Sequence, residues 1–177
     1  EFEESWIDEG INSYYDMIIT DESYDNAQVE FLGMKMAAFD NNHASLGSGR
    51  YSDPIVRESW RFRTGGSYGF NSYSRPAVTL RHLENLLGTS TFHKAMRHFF
   101  QTWKFRHPAT ADFERAVEEV AGRDLDWFFD QALRSTAALD YGIRTATTVK
   151  GTKERGYFWR DGERVLEEEP KKGKEDK

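Results

Sequence analysis

Cysteine is absent from the 177-residue sequence, which excludes disulfides and thiolate metal sites alike. Proline occurs only four times while aromatic residues make up 15%. That balance belongs to a folded, mostly regular domain rather than to a disordered chain. No apolar run is long enough to span a bilayer, and no signal peptide is visible. A Gly-rich phosphate loop and a nucleophile elbow are also missing. With 38% hydrophobic residues, the chain can bury one substantial core but hardly two.

Charge is distributed unevenly, with a net −10 over residues 1–53 and +7 over residues 54–107. The basic side chains are dispersed along helical faces rather than clustered. They therefore read as the packing complement of the acidic region, and no nucleic-acid partner is expected.

Hydrophobic periodicity predicts mostly helices. Trp6, Ile7, Ile11, Tyr14 and Ile18 define a first one, already under way where the sequence opens and without an N-cap, as expected for a chain cut from within a longer protein. A second helix is predicted over 27–39, a loop over 40–53, a short helix over 54–62 and another loop over 63–73. Ser74 then suits a cap and Pro76 a first turn, ahead of the Ala77, Leu80, Leu83 and Leu87 stripe that Gly88 ends. Phe92, Ala95, Met96, Phe99, Phe100 and Trp103 form the clearest stripe. Two further helices follow, one capped by Thr110 and ending at Gly122, the other capped by Asp124. From Leu139 the period changes to two, through Tyr141, Ile143, Thr145, Thr147 and Val149, and "WRDGER" offers an Asp-Gly hairpin turn.

Two features carry chemistry. None of the five histidines pairs with another at the i, i+4 spacing that places two imidazoles on one helix face, so surface or capping roles are expected for all. Glu9 stands out instead, because Gly10 beside it costs a helix interior about 1 kcal/mol relative to alanine. Either Glu9 is a plain solvated helix carboxylate, or something approaches closely at Gly10 and needs a carboxylate ligand.

The stretches "SWIDEG", "YSRPAVTLRHLENLLG" and "FRHPATADF…WFFDQAL…LDYGI", in that order, resemble the aminopeptidase N family of zinc metallopeptidases, the gluzincins. In that family the third zinc ligand is a Glu in a W-[LI]-[ND]-E-G context, which Trp6-Ile7-Asp8-Glu9-Gly10 matches throughout. The family also has a Tyr in Y-x-K-G at the start of a helix ending L-L-G. Tyr73 and Leu86-Leu87-Gly88 correspond, with Arg75 and Pro76 standing where Lys and Gly are usual. The resemblance thus implies Glu9 as a zinc ligand and Tyr73 as a hydroxyl donor to the oxyanion. The H-E-x-x-H segment that supplies two histidines and the general base is not in this sequence. It is expected about ten residues upstream of Glu1, on a missing N-terminal part of the same protein.

The expected fold is mainly α, an orthogonal multi-helix array corresponding to the C-terminal half of a thermolysin-like peptidase domain, with a short C-terminal β-hairpin or strand appendage. Residues 1–138 would be the helical part, 139–166 a short β segment opening a following β domain, and 167–177 a charged disordered tail. The implied function is hydrolysis of peptide substrates by a zinc-activated water in the full-length parent, with no zinc and no activity expected of this chain alone. A helical interaction or scaffold module that never binds metal is the competing reading.

Overall fold

The computed structural model describes residues 3–24, 29–48, 53–137, 147 and 156–167. The chain divides into two units, Glu1–Leu139 and Asp140–Lys177. The first is built from α1 (Ser5–Ser23), a hairpin of β1 (Val29–Phe31) and β2 (Met34–Met36), and α2 (Ala38–Ser48). A 3₁₀ turn (Ser59–Arg61), α3 (Gly65–Gly69), α4 (Arg75–Leu87), α5 (Thr89–Trp103), α6 (Thr110–Ala121) and α7 (Asp126–Phe129) follow. Mainly α architecture is what the periodicity predicts.

The apolar stripes meet in one core. Trp6 and Tyr14 from α1, Phe92 from α5, Phe113 from α6 and Phe129 from α7 are all fully buried. Phe113 takes the edges or faces of Trp6, Phe99 and Phe129, at centroid separations of 5.3, 5.3 and 6.2 Å. Burying each such ring stabilises the unit by about 1.5–3 kcal/mol, and the T-shaped geometry adds to it. The one polar atom Trp6 brings inward is satisfied, because its Nε1 donates to Thr110 Oγ1 at 2.9 Å. Thr110 in turn donates its hydroxyl to the Glu4 carboxylate at 2.7 Å. Thr110 is therefore the first residue of α6 rather than its cap. Asp112 reaches back to the Ala109 N–H at 3.0 Å, and Gly122 ends the helix in the left-handed region at φ 65°.

Four local expectations are corrected. Residues 29–36 form a hairpin, not part of a helix over 27–39. Leu32 and Gly33, at φ 51° and 78°, turn the chain where a helix would have to continue. The 40–53 stretch is largely helical up to Ser48, because Asp21 accepts the Ala38 N–H at 2.6 Å and Ala38 and Phe39 are buried. In place of a helix over 54–62 there is only the 3₁₀ turn. The 63–73 loop is mostly helical too. Thr64 caps α3 through Ser67 N, and α3 passes through a π-helical turn, Phe70–Ser74, directly into α4.

In the second unit, β3 (Gly156–Arg160) and β4 (Glu163–Glu167) pair antiparallel around Asp161-Gly162. Both turn residues have positive φ, 50° and 80°, as a two-residue type I′ turn requires. The alternating pattern of 139–149 lies, Thr147 apart, outside the described residues, and so does the charged tail from 168. Among the described residues no helix is long and apolar enough to cross a membrane.

Candidate functional site

The π-helical turn has a local cause. Proline has no N–H to offer the carbonyl four residues back, and its ring crowds that carbonyl. Pro76 sits at the second position of α4, so the Ser72 carbonyl loses its ordinary α-helical donor. The turn before it widens, and the Arg75 N–H bonds to Phe70 O, five residues back. The extra residue per turn rotates Asn71 and Ser72 into the interior and leaves Tyr73 facing outward.

Gly10 explains how α1 comes to lie against that turn. A methyl group on Gly10 would come within 2.5 Å of Pro76 Cβ and 3.3 Å of Ser72 O. Hydrogen in place of that methyl lets the two backbones meet, and a buried Ser5 Oγ–Ser72 Oγ hydrogen bond of 2.7 Å adds to the contact. The residue next to Gly10 then faces the turn. The Tyr73 hydroxyl donates to Glu9 Oε1 at 2.6 Å, joining residues 64 positions apart in the chain. Both groups named from the sequence are thus brought into direct contact. The hydrogen bond to Glu9, with a smaller push from desolvation and from the carboxylate charge, raises the Tyr73 pKa to about 12. The hydroxyl therefore stays protonated, and a donor, throughout the neutral range.

A buried polar layer lies under the turn. Asp53 is wholly buried and accepts from Ser67 Oγ at 2.6 Å and from the Arg63 N–H at 3.1 Å, while Arg57 approaches it at 2.8 Å. Burial pushes the Asp53 carboxyl upward, but the Ser67 and Arg63 hydrogen bonds and the arginine charges outweigh it. Its pKa is held below the usual range.

A catalytic zinc site takes three protein ligands and keeps one position open. Among the described residues Glu9 belongs to no group of three potential ligands, so those residues do not by themselves fit a zinc ion at Glu9. The group of three that does occur is Glu118, Asp124 and Asp126. Two of its carboxylates are engaged in starting α7, Glu118 accepting Leu125 N–H at 2.7 Å and Asp124 accepting Asp126 N–H at 2.8 Å.

The histidines do not gather at Glu9 either. His98 Nε2 lies 2.9 Å from Glu119. His43 and His82 meet edge to face at 5.5 Å, where burial and then the neighbouring ring lower the His82 pKa. That pairing had no signal in sequence spacing, since it joins two helices. Sequence reasoning also missed the buried hydrogen bonds of Arg75 to Asn71 and to the Asp53 carbonyl. Their only signal was a change of residue type at a motif position.

The Peptidase family M1 domain matches this chain over residues 1–132, a stretch holding both Glu9 and Tyr73. No curated protein and no solved structure matches it.

Proposed function

This chain belongs to peptidase family M1, and on that premise we propose that Glu9 and Tyr73 are two parts of the catalytic centre of a zinc-dependent aminopeptidase. The observation that carries the reading is the 2.6 Å contact between the Tyr73 hydroxyl and the Glu9 carboxylate. It joins the two functional groups named from separate motifs. Family membership makes the protein metallopeptidase-related. The finer assignment rests on what these two residues do chemically.

Glu9 is an oxygen ligand of the kind a mixed imidazole and carboxylate zinc site uses, and it would supply one of the three protein ligands. The other two would be histidines of an H-E-x-x-H segment, which this sequence does not contain.

Tyr73 has the two properties an oxyanion donor needs. It is anchored at its backbone by a buried turn, and its hydroxyl keeps its proton far above neutral pH. When a peptide carbonyl enters, the hydroxyl can turn from Glu9 to the oxygen on which negative charge develops. An interaction made mainly in the transition state lowers the barrier without tightening substrate binding.

Two variants of the full-length protein test this. Tyr73→Phe should lower kcat by about 10²–10³-fold, as loss of one oxyanion donor does, with zinc content unchanged. Glu9→Gln should lower zinc content and activity together. Turnover near wild type in Tyr73→Phe would contradict the oxyanion role.

A further inference from the structure

We propose that Arg75, one of the two departures from the family pattern, is a positioning residue that holds the Tyr73 turn against Glu9. The proposal rests on the reading that the Tyr73 hydroxyl does chemistry. It goes beyond that reading by naming what aims the hydroxyl.

A π-helical turn is a poor self-supporting structure, and such turns occur mostly as single bulges inside α-helices. Here the support comes from a side chain two residues beyond the tyrosine. Arg75 is buried, and its guanidinium reaches three separate segments. Nη1 donates to Asn71 Oδ1 within the turn at 3.0 Å and to the Asp53 carbonyl at 3.1 Å. Nη2 donates to the carbonyls of Ser135, at 2.8 Å, and Ala132, at 3.4 Å. These lie at the end of a second π-helical turn, Asp130–Arg134.

The points of attachment are themselves fixed. Asp53 holds Ser67 through its carboxylate, and Asn71 donates to Ser67 O at 2.9 Å. The guanidinium therefore ties the turn to the floor of the unit from below, while Tyr73 leaves it from above. Only a planar fork with several N–H donors can reach these acceptors at once. An ammonium on a flexible stem presents a single point.

Pro76, the second departure, belongs to the same arrangement. It widens the turn that Arg75 then braces, and it rests on Gly10. The two departures work together on the direction of one phenol.

The test uses the 177-residue chain with tyrosine labelled at ¹³Cζ, whose chemical shift reports what the hydroxyl bonds to. Tyr73→Phe removes one of eight tyrosine lines and so assigns it. Glu9→Gln moves that line by replacing the charged acceptor. Arg75→Met is expected to move the same line towards the Glu9→Gln position while the remaining lines stay in place. Arg75→Lys is expected to move it in the same direction and, by keeping the charge, covers the case in which Arg75→Met fails to fold. A Tyr73 line at its wild-type position in a folded Arg75 variant would overturn the proposal, even if the melting temperature fell, because that is the mark of a purely structural arginine. A Tyr73 line that Glu9→Gln leaves unmoved would instead overturn the underlying reading of the Glu9–Tyr73 pair.

Discussion

Gly10 and Pro76 share a contact that admits no added methyl group: a Cβ on Gly10 would stand 2.5 Å from that of Pro76 and 3.1 Å from its Cγ. Pro76's ring and the Ser72 carbonyl oxygen, 3.3 Å from the same point, are both rigid parts of the chain, so neither yields cheaply. Gly10→Ala gains about 1 kcal/mol of helix propensity and loses about 1–3 kcal/mol to overpacking. Net destabilisation is the expected outcome in urea unfolding. In a Pro76→Gly background the same substitution should cost less, and the coupling is read from the double-mutant cycle. Additive effects of the two changes would show that the contact is not the source of the cost.

The Tyr73 hydroxyl should ionise late. With Glu9 present its pKa is pushed up to about 12, and Glu9→Gln should return it towards the ordinary value of 10.0. The raised pKa fixes the direction of the pH effect. Any stability the contact contributes is fully present below the ordinary tyrosine value and is lost as pH rises through about 12. The difference in tyrosinate absorbance between wild type and Tyr73→Phe, followed during alkaline titration, isolates this one phenol.

A second tyrosine–carboxylate pair, this one buried, contributes to the acid side. Tyr14 donates to Glu84 at 2.8 Å and Arg81 donates to the same oxygen at 2.7 Å. Burial favours the neutral Glu84, but hydrogen bonds from Arg81, Tyr14 and Thr89 outweigh it and hold its pKa below the ordinary value of 4.5. Its contribution to stability is therefore present above that value and lost as pH falls through the lower, folded one. Glu84→Gln should flatten the acid limb of the stability–pH curve. Tyr14→Phe should cost about 1–3 kcal/mol at neutral pH, because it leaves a buried acceptor short of a donor. Acid limbs of equal slope in wild type and Glu84→Gln would count against this assignment.

The chain on its own should neither hold zinc nor cleave peptides. Glu9 is a single ligand already engaged with a hydroxyl, and one carboxylate competes poorly with water for the ion. Dialysed protein should carry no stoichiometric zinc by mass spectrometry and should release nothing from aminoacyl-anilide substrates. The helical unit should still fold, because its core is built from apolar and aromatic side chains packed on one another. One tightly held zinc per chain would overturn this expectation.

How much of this was legible in the sequence depended on which force decided each segment. The stripes on α4, α5 and α6 could be read because burial of one face is itself what stabilises those helices. Glu9 and Tyr73 could be named from motif context, though not from periodicity. Residues 29–36 could not be read. Met, Leu and Lys favour helix, and only Gly33 marked the turn. The 63–73 stretch failed for the opposite reason. Its glycines and serines signal a loop, whereas Pro76, Arg75 and Asp53 hold it helical from outside. Arg75 looked like a conservative exchange for lysine. What distinguishes it is the set of acceptors on two distant segments, at Asp53 and at Ala132 and Ser135, which no local pattern records.

The hydrogen bond from Trp6 to Thr110 bears on how this protein is made. Its two ends are 104 positions apart, and α1 covers its indole only when α6 arrives with Thr110 and Phe113. At bacterial or eukaryotic elongation rates of roughly 5–20 residues per second, translation of that interval takes about 5–20 s. For that time the nascent α1 carries an uncovered tryptophan on the emerging polypeptide. A ribosome-bound chain stopped short of residue 110 should therefore be held by general chaperones and cut readily within α1, whereas one released after residue 137 should resist both.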